Sequence, residues 1–97
     1  MAQTRSYELL YIVRPDLPKA ALEEAITKFQ KAVHEGGGQV LKIDEWGLRT
    51  LAYQIKHLDK GYYVFMEFQG TPDQVRKLEE RLKLDESVLR YQVVRQQ

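Results

Sequence analysis

The strongest constraint on the fold is a strand-and-helix pattern that occurs twice. An apolar, aromatic-rich segment at 7–13 precedes Pro15-Asp16 and a stretch whose apolar residues recur at helical spacing. A similar segment at 62–68 precedes Pro72-Asp73 and a second such stretch. Segments of the first kind are typical of β-strands, and those of the second kind are typical of helices with one face toward a core. The repetition predicts two strand–helix units.

Both predicted helices have recognisable ends. Pro18 suits the first helical position, where its missing N–H costs nothing. The glycines at 36–38 end the first helix, because glycine accepts the left-handed capping conformation. Thr71 is predicted to cap the second helix, with Gln74 completing a capping box. The apolar stripes that should face the core are Leu22, Ala25, Ile26, Phe29 and Val33 in the first helix and Val75, Leu78 and Leu82 in the second.

The remaining segments complete a β-α-β-β-α-β order. Residues 39–56 resemble one long strand with a bulge or bend at Gly47, 57–61 a turn, and 88–95 a last strand. Right-handed crossovers separate the strands of each parallel pair by one position, which gives the spatial order 4-1-3-2. The sequence therefore predicts one α+β domain over 1–97, a ferredoxin-like sandwich with both helices on one face of an antiparallel sheet.

Composition excludes several classes of protein. Without cysteine, there is no disulfide, thiolate metal site or cysteine nucleophile. The strongest apolar run, 9–13, is far shorter than the about 20 residues that span a bilayer, and no basic-then-apolar start indicates a signal peptide. A cytoplasmic protein without a membrane partner follows by default. The net charge of +1 does not by itself indicate a nucleic-acid binder.

No constellation of residues indicates catalysis. His34 and His57 have no partner at metal-ligand spacing, and the pairs Asp44-Glu45 and Glu23-Glu24 diverge on regular structure. The glycines at 36–38 follow a helix, whereas a phosphate-binding loop precedes one. Acyl-phosphate hydrolases share the fold class, but the asparagine that such a resemblance implies is absent. We expect no enzyme activity, metal, cofactor or small-molecule substrate.

An RNA-recognition motif with the same topology is an alternative. Lys60-Gly61-Tyr62 matches the start of its third-strand motif, in which aromatic side chains stack on bases. However, Tyr63 occupies the small-residue position and Glu67 the last aromatic one. Tyr11, in the first-strand motif, alternates with core residues and should face the helices. A free-standing binder of single-stranded RNA therefore remains the second hypothesis.

A more specific pattern occupies residues 46–63. Gly47-Leu48-Arg49, Leu51-Ala52-Tyr53, Ile55-Lys56 and Gly61-Tyr62-Tyr63, with Tyr7-Glu8 near the start, resemble the signature of the bacterial ribosomal small-subunit protein six family. The resemblance extends over about residues 5–95. Thr50 departs from it, because the family often has a second basic residue there.

The resemblance implies assembly, with no catalysis. Members of that family bind the central domain of small-subunit rRNA as a heterodimer with ribosomal small-subunit protein eighteen, on the cytoplasmic ribosome. The second strand should be a sheet edge, where charges prevent self-pairing and apolar neighbours can contact a chosen partner. The predicted partner-protein interface is Asp44, Glu45, Trp46, Leu48, Arg49, Leu51 and Tyr53. The basic residues predicted to contact RNA are Arg5, Lys56, His57, Lys60, Arg90 and Arg95.

Overall fold

A four-stranded antiparallel sheet supports two helices. The computed structural model describes residues 3–96; residues 1, 2 and 97 of the predicted domain lie outside the described residues. The elements are β1 (Arg5–Val13), α1 (Lys19–Glu35), β2 (Gln39–Ile55), β3 (Leu58–Gly70), α2 (Pro72–Leu84) and β4 (Val88–Arg95). The strand order is β2-β3-β1-β4. This is the same as the predicted order 4-1-3-2, counted from the opposite edge of the sheet. The ferredoxin-like prediction is confirmed.

The core lies between the sheet and the two helices. Tyr7, Leu9, Tyr11 and Val13 alternate along β1 and are all buried, which places them on the helix-covered face. The Tyr11 ring meets Phe29 of α1 edge-on, with ring centroids 5.3 Å apart. Such aromatic pairs add about 0.5–1.5 kcal/mol beyond the area they bury. The predicted helical stripes are buried too, except that Leu22 is only half-buried.

The helix ends follow from particular backbone and side-chain bonds. After α1, the Gly38 N–H donates to Val33 O and the Gly37 N–H to His34 O, and Gly37 adopts φ +92°; this is a Schellman motif. The capping box of α2 is present, with Thr71 and Gln74 bonded reciprocally. Pro18 is the N-cap of α1 and not its first helical residue. Neither helix is long and apolar enough to cross a membrane in the described chain.

Two irregularities shape the β2–β3 hairpin. The pairing of the strands shifts between Glu45 and Gly47, and Gly47 has φ +87°, which is the predicted bulge. The turn consists of Lys56 and His57, both with positive φ. β3 therefore begins at Leu58, within the segment 57–61 that was predicted to be a turn. Positive φ at both central residues matches the twist of a hairpin. The sequence lacks the Asn-Gly or Asp-Gly pair that usually marks such a turn.

Candidate functional site

The sheet surface away from the helices, called the open face here, is rich in apolar side chains. Cross-strand pairing places the alternate residues of the central strands on it, since neighbours in a strand point to opposite faces. The members are Glu8, Leu10 and Ile12 of β1, Tyr63, Phe65 and Glu67 of β3, and Arg90, Gln92 and Val94 of β4. This face has no helix of the described chain packed on it.

A shallow groove of about 200 Å³ lies on the open face and is called the aromatic groove below. Its lining residues are Glu8, Leu10, Trp46, Phe65, Gln92 and Val94. The Trp46 and Phe65 rings are stacked, with centroids 5.7 Å apart and planes at 9°. The Arg49 guanidinium carbon lies 4.9 Å from the centroid of the Trp46 ring, within the range of a cation–π contact. The groove is therefore lined by two nearly parallel aromatic rings, with a cation beside them.

The tip of the β2–β3 hairpin curls over the other part of the open face. Leu51 and Ile12 are both buried on this face, and a Cβ on Gly61 would lie 2.3 Å from Ile12 Cγ2 and 3.3 Å from Leu51 Cδ2. The Arg90 guanidinium carbon lies 5.2 Å from the centroid of the Tyr53 ring, although β2 and β4 are opposite edges of the sheet. Residues 51–60, called the strap below, thus cover one end of this face.

The bulges and the strap distribute the predicted partner-interface residues over both sides of β2. Trp46, Arg49, Leu51 and Tyr53 belong to the open face through the contacts just described, and Asp44 pairs with Phe65 of that face. Glu45 and Leu48 lie on the helix-covered side, opposite Val64 and Tyr62. Leu51 is almost fully buried within this chain, while Trp46, Leu48 and Tyr53 remain exposed.

The residues predicted to contact RNA form two groups at opposite ends of the sheet. Arg5 and Arg95 come together where β1 begins and β4 ends, in a depression that they line with Thr4, Ser6 and Gln96. Lys56, His57 and Lys60 lie at the strap, beyond the other end of β1. Arg90 belongs to neither group. It lies on the open face, as its alternation with Tyr91 predicted, and contacts Tyr53.

Tyr11 and Tyr62, the aromatic residues that match the RNA-recognition motif, lie on the helix-covered side of the sheet. Tyr11 is buried in the core, as predicted, and Val64 is fully buried. The Tyr62 hydroxyl donates to a carboxylate oxygen of Glu45 at 2.7 Å. This bond, with a further contribution from burial, raises the pKa of Tyr62 to about 12. Tyr62 pairs with Val13 on the helix-covered side of the sheet, so the matching motif does not place it on the open face as a stacking platform.

Several groove residues were missed by the sequence analysis, chiefly Leu10, Phe65 and Val94. The sequence does show that each of these residues alternates with neighbours on the opposite face of its strand. Leu10 lies between Leu9 and Tyr11, and Phe65 between Val64 and Met66. An apolar strand with two apolar faces does not show by polarity which face will be left uncovered.

Comparisons with known proteins agree over almost the full chain. A family model described as ribosomal protein S6 matches residues 6–95. The chain is 40% identical over 91 residues to small ribosomal subunit protein bS6 of Moorella thermoacetica, covering 94% of this chain and 93% of that one. For bS6 of Caldanaerobacter subterraneus the values are 42% over 91 residues, with 94% and 96% covered.

A solved structure agrees with the fold. The crystal structure of 30S ribosomal protein S6 from Thermotoga maritima superimposes with a TM-score of 0.91 at 26% identity. The match covers 97% of this chain and 89% of that one.

Proposed function

Because the chain belongs to the ribosomal protein S6 family, we propose that it binds the central domain of small-subunit rRNA as a heterodimer with ribosomal small-subunit protein eighteen. The chain is a small-subunit ribosomal protein of the bacterial cytoplasm and not an enzyme. The proposal adds the identity of the partner, the rRNA domain and the residues that contact each.

The aromatic groove and the adjoining β2 edge support a protein partner, and this is the observation that carries the proposal. Trp46 and Val94 of the groove are 41% and 49% exposed, and Leu48, on the other side of the same edge strand as Trp46, is 55% exposed. Exposed apolar surface concentrated at one site is typical of an interaction surface. β2 is an edge strand, so its outer backbone groups can pair with another chain. The partner would thus cover the open face and the edge together.

The two basic groups support a role in RNA binding. Arg5 and Arg95 line one depression together with Thr4 and Ser6. Guanidinium and hydroxyl groups are suited to phosphate oxygens, whose contacts fix position and carry little sequence information. The second group, Lys56, His57 and Lys60, lies at the other end of a molecule 44 Å long. A partner docked between them could join both groups into one continuous RNA-binding surface.

The test is cooperative binding. A chain of net charge +1 has few phosphate contacts available, so alone it should bind rRNA weakly. With protein eighteen present, we expect a labelled central-domain fragment to bind roughly a hundredfold more tightly in a filter-binding assay. Equal affinity with and without protein eighteen would refute the heterodimer. Tight binding of a short single strand by this chain alone would favour the free-standing reader.

Single substitutions locate the RNA contacts. Arg5→Ala and Arg95→Ala should each weaken the complex of rRNA with both proteins, and should lower the slope of log affinity against log salt by about 0.7–0.9. The matched control is Arg76→Ala, which removes the same charge from the exposed surface of α2. If all three variants lose affinity equally, the effect is one of net charge and Arg5 and Arg95 do not form a site.

A further inference from the structure

Two carboxylates oppose each other on the open face. Glu8 of β1 and Glu67 of β3 are directly paired across the strands, which places their Cβ atoms about 4.5–5.5 Å apart. Like charges directly opposite each other destabilise a sheet. In residues 3–96 neither carboxylate has an ion pair: Lys42, which is paired with Glu67 across β2 and β3, bonds to Asp44 at 3.2 Å. Glu8 accepts one neutral hydrogen bond, from Gln96 Nε2 at 2.6 Å.

The pair borders the aromatic groove. Glu8 lines the groove, and the next cross-strand pair on this face is Leu10 with Phe65 of the groove. Two residues along a strand correspond to about 6.6–6.8 Å, so an extended segment could place one side chain in the groove and another at the carboxylates. Away from these two carboxylates, the Arg49 guanidinium lies over the Trp46 ring. The groove is therefore acidic at one end and basic at its side.

We propose that the aromatic groove binds an extended segment of the partner protein with an apolar side chain in the groove and an arginine or lysine between Glu8 and Glu67. A guanidinium presents several donors in a plane and can satisfy two carboxylates at once, which favours arginine. RNA is a poorer occupant, because two unpaired carboxylates repel phosphate. This inference rests on the proposed heterodimer, since the occupant is a segment of protein eighteen.

The experiment is calorimetric titration of the full chain with protein eighteen. We expect Glu8→Gln and Glu67→Gln each to weaken the heterodimer by roughly tenfold and to flatten the dependence of its affinity on salt. Glu80→Gln, which removes a charge from the exposed side of α2, is the matched control and should bind as the wild type does. The same two variants should unfold at equal or higher urea concentration than the wild type, because the repulsion between the carboxylates is removed. Weaker binding in a more stable protein cannot be attributed to misfolding.

The outcomes distinguish the two proposals. If the heterodimer forms and neither Gln variant differs from Glu80→Gln, this inference is wrong and the proposed function stands. If the Gln variants instead bind the rRNA fragment more tightly without the partner, and the heterodimer is unchanged, the open face binds RNA. If the wild type forms no heterodimer, both proposals fail. A Glu67→Arg variant that loses the partner, and regains it when one arginine of protein eighteen becomes glutamate, would identify the cation.

Discussion

At the scale of single residues, Gly61 shows how the absence of a side chain can shape a surface. It lies in β3, so its missing Cβ would point to the open face, into the space where Ile12 and Leu51 lie. No unusual backbone angle requires glycine there. The requirement is steric, and it allows the strap to lie close against the sheet.

Replacing this glycine should therefore destabilise the fold by crowding. We expect Gly61→Ala to lower the free energy of unfolding by about 1–3 kcal/mol in urea denaturation. Ile12→Leu in the same chain should restore part of the loss, because leucine lacks the Cγ2 methyl that lies 2.3 Å from the added carbon. Gly47→Ala is the control: it meets nothing within 4 Å and is strained only by its φ of +87°. Rescue of Gly47→Ala by Ile12→Leu would contradict the steric account.

Tyr62 gives the protein a specific response to alkaline pH. Its hydrogen bond to Glu45 raises its pKa to about 12, above the value of about 10 for an unfolded chain. The bond therefore contributes its full stability below pH 10, and this contribution is lost as the pH rises toward 12.

We expect Tyr62→Phe to be less stable than the wild type at pH 8, and the difference in urea midpoint to shrink between pH 10 and 12. Burial also raises the pKa of Tyr11, so both proteins lose stability at high pH and only their difference is diagnostic. A difference that stays constant over this range would show that the hydrogen bond does not hold the tyrosine proton.

At the scale of elements, the strap changes the role of Arg90. Leu51 and Tyr53 reach the open face because pairing between the strands is interrupted from Thr50 to Ile55, and this interruption lets the tip turn inward. Arg90 then lies under Tyr53. Through this contact Arg90 holds the strap on the sheet, whether or not Arg90 also contacts RNA.

A double-mutant cycle can measure this contact. With Tyr53→Ala and Arg90→Ala we expect a coupling of about 0.5–1 kcal/mol in the free energy of unfolding. Amide hydrogen exchange in residues 51–60 should be faster in each single variant. Tyr53→Phe keeps the ring and should leave both measurements close to wild type. If Arg90→Ala weakens rRNA binding while exchange in the strap is unchanged, Arg90 is an RNA contact and not a support for the strap.

At the scale of the whole molecule, the sequence predicted what local patterns determine. The element order follows from apolar periodicity, the helix ends from Pro18, Thr71 and the glycines at 36–38, and the strand order from the handedness of the crossovers. The strap could not be predicted in this way, since it depends on Tyr53 meeting Arg90 across the width of the sheet.

The candidate site was predicted only in part for the same reason. Trp46 was assigned to the β2 edge, but the bulge at Gly47 interrupts the alternation that would have given its direction. The groove that it forms with Leu10, Phe65 and Val94 combines side chains of all four strands. Nothing in the sequence groups Arg5 with Arg95, and only the pairing of β1 with β4 brings them together.

The stacked indole of Trp46 also has a spectroscopic consequence. Trp46 is the only tryptophan in the chain, and it lies in the aromatic groove against Phe65 and below a guanidinium. Indole emission depends on the polarity around the ring and on its contact with water. The tryptophan fluorescence of this protein therefore comes from the place where a partner segment would lie, so it reports whether the groove is occupied without any attached label.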